Sequence, residues 1–544
     1  MAIKINWQDL QRRIINGVDT QKVMLNWVQI RPETTPPPTT ERIIIRMMAD
    51  DWWNLYLPTS AGVSSHYDYN WKVYIDDTSP VIFSGRSSQW NYITIGSGYE
   101  LYSIHTIKIE PVTEEYGWAK AFTFYQTDKW RRLVEIIEDW SYMGYADSAT
   151  STWYYFRYGQ YQYCTMIDHI PNEVIPDTVM YIGPFFRYQQ YHGCGWLLNI
   201  VPERLPNSVT RVWDYFRCGQ YSHCSTISAV TPEVIPNTVT QIWTYFRSSM
   251  YLMTWVSSPA VEVLPPNITA LPSSFRSGQY SQCINITTPA VEVIPNTVTT
   301  IWYNFRGTQY AWSSITSCAA EYLPNSVTSI WDSFRAWQYS SCMYITSAAT
   351  EYLPNSVITI GTAFRSDQYI NCDNLLYASN ESFPDSVTTI WQNFRSRQYE
   401  NCDSLIQAGN EKLSANLVNT GDDFRVQQYL GCVSLTSTAT EDMPSGVLIW
   451  TYFRANQYYQ CPSLTDSTWI ARDANTIPWT GIYNYRFNQF SPIDMSVTIL
   501  WDEIDAAMDG WWIWANSIVR VKSSLLTDYQ NASNWSRITN FIWY

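Results

Sequence analysis

The chain has 544 residues, only 15% of them charged, and a net charge of −14. That length calls for more than one ordinary core, and the acidity excludes sequence-independent binding to DNA or RNA, which needs a basic face to displace counterions. No run of 18 apolar residues occurs, so no spanning helix and no membrane insertion are expected.

In chain order, residues 1–31 read as an attachment segment. The opening MAIKINWQDLQRRIING lacks the apolar stretch of a signal peptide, and Lys22 to Pro32 alternates like a short strand. Residues 32–40 form a stiff Pro/Thr linker. Residues 41–126 carry the strand-like runs ERIIIRMM, WKVYIDD and IHTIKIEP between turn residues, which predicts a small β-sandwich. The order Y-x-W-x-V-x-I-D-D, then H-T-I-K-I, with Asp76, Asp77 and His105 on the pattern, resembles an immunoglobulin-like sandwich of the PKD type, without that family's W-G-D-G turn. The opening segment likewise resembles the attachment strands of phage tail proteins. Residues 127–150, with RRLVEIIEDW, read as a helical N-terminal cap.

Residues 151–465 are a repeat array. A Phe-Arg pair recurs eleven times, at Phe156, 186, 216, 246, 275, 305, 334, 364, 394, 424 and 453, always 29 or 30 residues apart. A fixed period of this size marks a solenoid, in which each unit stacks only on its neighbours. The consensus is P-N-[ST]-V-T-x-I-[WG]-x-x-F-R-x-x-Q-Y-x-x-C-x-x-[LI]-T, and a Glu precedes each following Pro. The β-branched stretches read as strands, Pro-Asn as turns, and the Phe, Tyr and Cys offsets as a short helix or helical turns. Stacked about 4.8 Å apart, eleven such rungs span roughly 50 Å.

Stacking superposes equivalent residues in columns. The Arg column (Arg157, Arg187, Arg217, Arg335, Arg365, Arg395) and the Glu column (Glu203, Glu233, Glu351, Glu381) are expected to neutralise one another in a structural network. The Tyr column (Tyr191, Tyr221, Tyr339, Tyr369) and the Cys column (Cys194, Cys224, Cys342, Cys372) are expected to be structural too, the cysteines buried and reduced. The rival reading turns the Arg-x-x-Gln-Tyr edge into a ligand face, since Tyr and Arg are frequent binding hot spots. A residue needed in every rung is better explained by stacking. Ligand specificity is therefore assigned to the variable position three after each Phe, as at Gln189, Trp337, Asp367 and Arg397.

The string LPNSVTSIWDSF, followed by C and a hydrophobic-Thr pair, resembles BspA-like leucine-rich repeats, although five extra residues, R-x-x-Q-Y, lengthen the unit. The C-terminal cap, residues 466–544, ends in VRVKSSLLTDYQNASNWSRI, which resembles the closing strand, short helix and Y-x-x-A-x-N-W-S string of that family. The resemblance implies a bacterial or protozoan surface protein acting in adhesion. The implied fold class is a leucine-rich-repeat-like solenoid after a small β-sandwich. The implied location is the cell surface or extracellular space, or a phage particle, and the implied partner is a host-surface protein or glycan, with self-association as a further possibility. The alternative is a structural subunit of an extracellular filament or particle coat.

Three residues before each Phe, seven rungs carry Trp, three carry Gly (Gly183, Gly361, Gly421) and one carries Pro272. Gly and Trp suit different environments. Either the gene reads a reassigned UGA codon, so that some of these Trp are Gly in the protein, or the side chain points outward as an aromatic ladder. No enzyme, cofactor or metal is expected: P-loop, G-x-G-x-x-G, H-E-x-x-H, G-x-S-x-G and C-x-x-C motifs are absent and the five His are scattered. Asp76 and Asp77 offer carboxylates for Ca²⁺, but a solvated turn is the better account of them.

Overall fold

The computed structural model describes residues 43–49, 54–58, 68–86, 92–112 and 133–138, then 151–464 apart from short breaks, then 466–469, 496–499 and 518–543, again with breaks. The expected attachment segment and Pro/Thr linker occupy residues 1–40. The attachment segment and the linker expected there lie outside the described residues, as do Glu203, Glu233, Glu351 and Trp153.

Before the array come β1 (Ile43–Met48), β2 (Asn54–Pro58), β3 (Asp68–Ile75), β4 (Val81–Arg86), β5 (Tyr92–Ser97), β6 (Ile104–Pro111) and β7 (Leu133–Glu138). Five of them form a sheet in the order β4-β3-β6-β1-β7, and β2 pairs with β5. The period-2 pattern explains the burial. In β1, Ile43, Ile45 and Met47 point inward, against Trp71 and Val73 of β3 and Ile107 and Ile109 of β6. β7 corrects the sequence reading: Leu133–Glu138 is a strand antiparallel to β1, not part of a helical cap.

The array is a β-solenoid whose rungs carry two-residue parallel strands. Ala270–Leu271, Thr300–Ile301, Ser329–Ile330, Thr359–Ile360, Thr389–Ile390 and Asn419–Thr420 form one six-stranded sheet. The Pro-Asn stretch closes each turn, with the Val N–H donating to the Pro carbonyl at 3.0–3.1 Å in rungs such as Pro176–Val179 and Pro354–Val357. A second parallel row pairs Glu381–Ser382, Glu411–Lys412 and Glu441–Asp442.

Two apolar columns run through the array. One stacks the Phe rings 5.0–5.9 Å apart, with Val and Ile of the V-T-x-I strand packed beside them. The other stacks the Tyr rings 5.3–5.8 Å apart, beside the Cys and the Leu or Ile three residues later. The five residues that lengthen the repeat supply the polar layer between them. Arg guanidinium groups lie 4.7–5.0 Å over their own Phe rings at Arg247, Arg276, Arg306, Arg335, Arg365 and Arg425. Gln side chains pass amide hydrogen bonds from rung to rung, as in Gln220 to Gln190 at 3.0 Å and Gln398 to Gln368 at 3.2 Å.

The Phe-to-Cys stretch is a run of hydrogen-bonded turns, not a continuous helix. The residue before Phe, the Arg and the residue two after the Arg all adopt left-handed backbone angles, as at Phe185 (φ 58°), Arg187 (53°) and Gln189 (50°), and again at Ala363, Arg365 and Asp367 (55–56°). Such angles cost a non-glycine residue about 1–2 kcal/mol each. They are held because they aim backbone groups between rungs. The N–H groups of Phe185, Gln189, Tyr191 and Gly193 all reach forward at 2.9 Å to carbonyls of the next rung, those of Asp214, Cys218, Gln220 and Ser222.

Each Cys of the ladder after Cys164 uses its thiol as a donor to the Tyr carbonyl of the preceding rung, for example Cys194 to Tyr161 and Cys372 to Tyr339, at 3.0 and 3.2 Å. Where Cys is absent, Thr254 and Ser313 donate to the Tyr carbonyl of their own rung at 2.9 and 2.6 Å. The position therefore requires a small side chain with a donor. All eleven cysteines are free and the nine of the ladder are buried. Burial pushes the Cys342 thiol up to about 11 and the Cys224 thiol up to about 12. Thiolate is the reactive form, so iodoacetamide at pH 8 is expected to leave all nine ladder thiols unmodified in the native protein and to modify them after unfolding. Peptide mass spectrometry reads this out, and native labelling of any ladder thiol at the unfolded rate contradicts the packing.

Following the array, Asp466–Trp469, Ser496–Ile499, Ile518–Val521 and Asn540–Trp543 form a parallel four-stranded sheet. A short helix, Leu526–Asn531, lies between the last two strands and buries Tyr529.

Candidate functional site

The columns divide sharply into those that build the solenoid and those that face solvent. Arg217, Arg335, Arg365 and Arg395 are at most 2% exposed; Arg187 is buried and Arg157 half-buried. Tyr191, Tyr221, Tyr339 and Tyr369 are buried, as are Cys194, Cys224, Cys342 and Cys372. The Arg-x-x-Gln-Tyr edge is thus interior and offers no ligand face.

Among the described residues, Arg365, Arg395 and Arg425 are neutralised by interleaved carboxylates. Glu381 bridges Arg365 and Arg395, both at 2.8 Å, and Glu411 bridges Arg395 and Arg425. Each Glu thus clamps its own rung to the next. Although burial opposes the charge on Arg395, the two flanking carboxylates outweigh it and hold the pKa above the ordinary guanidinium value. On Arg425, burial prevails over Glu411 and the pKa is lowered.

The variable position three after Phe is less available than its variability implies. Trp337 and Arg397 are exposed and Gln189 is half-buried, but Asp367 is 2% exposed. Arg397 of the next rung lies over Asp367, with Nε 2.9 Å from Oδ1. Burial pushes the Asp367 carboxyl up to about 6 despite that partner. This row is the third left-handed position of each rung, so its side chains are set by inter-rung packing as much as by solvent. Asp367 does not fit the role of a surface contact.

The exposed columns are elsewhere. One immediately precedes the Leu/Ile-Pro pair: Val234, Val263, Val293, Tyr322 and Tyr352, on five consecutive rungs, are 50–73% exposed. Tyr322 and Tyr352 stack at 5.9 Å. The next two rungs end the strip with exposed Ser382 and Lys412. The other is the Trp column: Trp243, Trp302, Trp331, Trp391 and Trp450 are exposed and Trp213 half-buried. Sequence reasoning found the Trp column through its Gly alternation but missed the Val/Tyr strip. Its signal was an apolar residue in the loop before Pro, where a turn needs none.

In the β domain, Ser103 Oγ lies 2.6 Å from His105 Nε2, and His105 Nδ1 lies 2.6 Å from Asp76 Oδ2. The connectivity is that of a hydrolase triad. However, the single Ser103 proton is given to the Glu100 carbonyl at 2.6 Å. Burial opposes the charge on Asp76, but the hydrogen bonds from His105 and the Thr106 N–H outweigh it and lower the pKa. The group pins a turn in which Asp76 and Asp77 are both left-handed. No cluster of three metal-ligating side chains occurs among the described residues.

No protein-family model matches the chain, and no curated protein matches its sequence. Among solved structures, a leucine-rich repeat protein from Bacteroides ovatus is 14% identical, with 73% of this chain and 88% of that one covered and a TM-score of 0.33. The pneumococcal vaccine antigen PcpA is 11% identical over 69% and 88%, with a TM-score of 0.32. YopM from Yersinia enterocolitica is 11% identical over 70% and 85%, with a TM-score of 0.18. The superpositions are loose at these values, and the solenoid is established by the strand pairing and ring stacking of the rungs themselves.

Proposed function

We propose that this chain is a non-catalytic recognition protein, borne on a cell surface or a phage particle or released from the cell, and that the Val/Tyr strip of its solenoid binds a protein on a host surface. One observation carries the reading: the repeated Arg and Gln residues are interior, while an unbroken apolar strip over five rungs faces solvent. Contiguous exposed apolar surface of this kind marks a partner site. Aliphatic valines at three of the five positions suit protein side chains better than sugars, which favour aromatic platforms.

The test is binding of the purified chain to a panel of bacterial and eukaryotic cells, with and without surface proteolysis. Saturable binding that is lost on proteolysis, and lost in a Val293→Lys/Tyr322→Lys variant with unchanged thermal melting, is the expected result. Binding that survives proteolysis and disappears after glycosidase treatment reassigns the partner to a glycan. Indefinite filaments in electron micrographs, with no cell binding, support a structural subunit instead.

A further inference from the structure

The Trp column is a second exposed surface, independent of the Val/Tyr strip, and its gaps are patterned. Adjacent indoles stack where neighbouring rungs both carry Trp, at 4.8 Å for Trp213–Trp243 and 4.9 Å for Trp302–Trp331. Beyond Trp331 the column alternates: Trp331, Gly361, Trp391, Gly421, Trp450. At Gly361 and Gly421 the backbone closes on the preceding rung, and an added Cβ meets that rung's backbone at 2.5 and 2.3 Å. Each Gly rung thus leaves an opening between Trp rungs roughly 10 Å apart, twice the strand spacing, and one more indole fills it at the stacking distance seen elsewhere in the column.

The glycines are not isolated substitutions. Six residues before Phe, five of the Trp-bearing rungs carry Thr210, Thr240, Thr299, Thr328 and Thr388, whereas the Gly rungs carry exposed Met180, Ile358 and Val418. All three Gly rungs carry an aliphatic side chain in this row, as does the Trp450 rung with Leu448, whereas the Pro272 rung keeps Thr269.

We infer that two copies of this chain associate through this comb, antiparallel, about a two-fold axis lying between the rungs of Trp391 and Gly421. In that register the second copy's Trp450 enters the Gly361 opening and its Trp391 enters the Gly421 opening, and the reverse holds by symmetry. The six indoles of Trp331, Trp391 and Trp450 from both copies then form one continuous stack with no two rings at the same level. Gln392 faces the second copy's Asp422, so no carboxylate meets a carboxylate, and Ile358 faces Leu448. Trp450 already donates its indole N–H to Asn419 on the Gly421 rung, which fixes the ring beside the opening. The two-fold arrangement is closed, so it yields a dimer and not a filament.

Sedimentation equilibrium of the full chain tests this, with the intact mass measured on the same sample. A concentration-dependent dimer is expected, at the mass that has Trp at every written position. Trp391→Ala is expected to weaken the dimer roughly tenfold or more, with unchanged melting, while Trp213→Ala leaves it intact. A monomer at all concentrations, a dimer indifferent to Trp391→Ala, open-ended assembly, or a mass showing Gly in place of these Trp overturns the inference. None of these outcomes bears on ligand binding by the Val/Tyr strip.

Discussion

Replacing Glu411 with Leu is expected to destabilise the surrounding rungs by about 3–5 kcal/mol, the cost of leaving buried charges without their partner. Glu411 is 4% exposed and bridges Arg395 and Arg425, both fully buried. Without it, Arg425 loses the carboxylate that bridges it to the neighbouring rung, and two guanidinium groups face one another across a single rung. Arg395 keeps Glu381, so the defect is local. Because rungs contact only their neighbours, the loss is read by hydrogen exchange as faster opening around residues 390–430, and by denaturant titration as a separate early transition. The surface pair Arg46–Glu135 at 3.2 Å, with both side chains more than a third exposed, is the control. Glu135→Ala there is expected to cost less than about 1 kcal/mol. A Glu411→Leu loss as small as the control's shows that the interior carboxylate is dispensable.

Phe334→Ala is expected to cost a similar amount, about 3–5 kcal/mol, for a different reason. Its ring is stacked between Phe305 at 5.5 Å and Phe364 at 5.3 Å, and the Arg335 guanidinium lies 4.8 Å from its centroid. Truncation leaves a cavity with rigid walls, since the rungs on either side are fixed by their own strands and cannot collapse into it. Phe334→Leu separates volume from ring chemistry. It keeps most of the apolar bulk but loses the stacking and the cation–π contact, and is expected to cost about 1–2 kcal/mol. Equal losses for Ala and Leu, measured by chemical denaturation, show that the ring itself is what the column needs.

The period, the stacking columns and the strand positions were legible in the sequence, because a solenoid repeats its chemistry wherever it repeats its geometry. The left-handed rows were not. Arg365, Asp367, Trp337 and Asn393 all occupy left-handed backbone, and nothing in such a mixture of residue types announces it; glycine, the usual signal, stands at few of these positions. The helical reading of RRLVEIIEDW has an identifiable cause. In β7 the inward residues Leu133 and Ile136 are three apart because the pairing with β1 slips between Arg46 and Met47, and a bulged strand then shows the spacing of a helix. Asp367 was assigned to the surface because it varies from rung to rung. Its burial depends on Arg397 of the following rung, a partner that the repeat pattern does not include.

The forward-reaching N–H groups of the Phe-to-Cys edge give that edge a sense of direction. From Asp367, Tyr369 and Asn371 donors run to the carbonyls of Ser396, Gln398 and Glu400 at 2.9–3.0 Å, and the same sense holds at Phe185 to Gly193. In the same rungs the Arg N–H runs the other way, to the Phe carbonyl of the preceding rung, as at Arg365 to Phe334 at 2.9 Å. A break between two such rungs therefore bares most of this edge's donors on the N-terminal fragment and the Arg donor on the C-terminal one. Shortening the array from its two ends is consequently unequal along this edge: a C-terminal deletion uncovers more of its amide protons than an N-terminal deletion does.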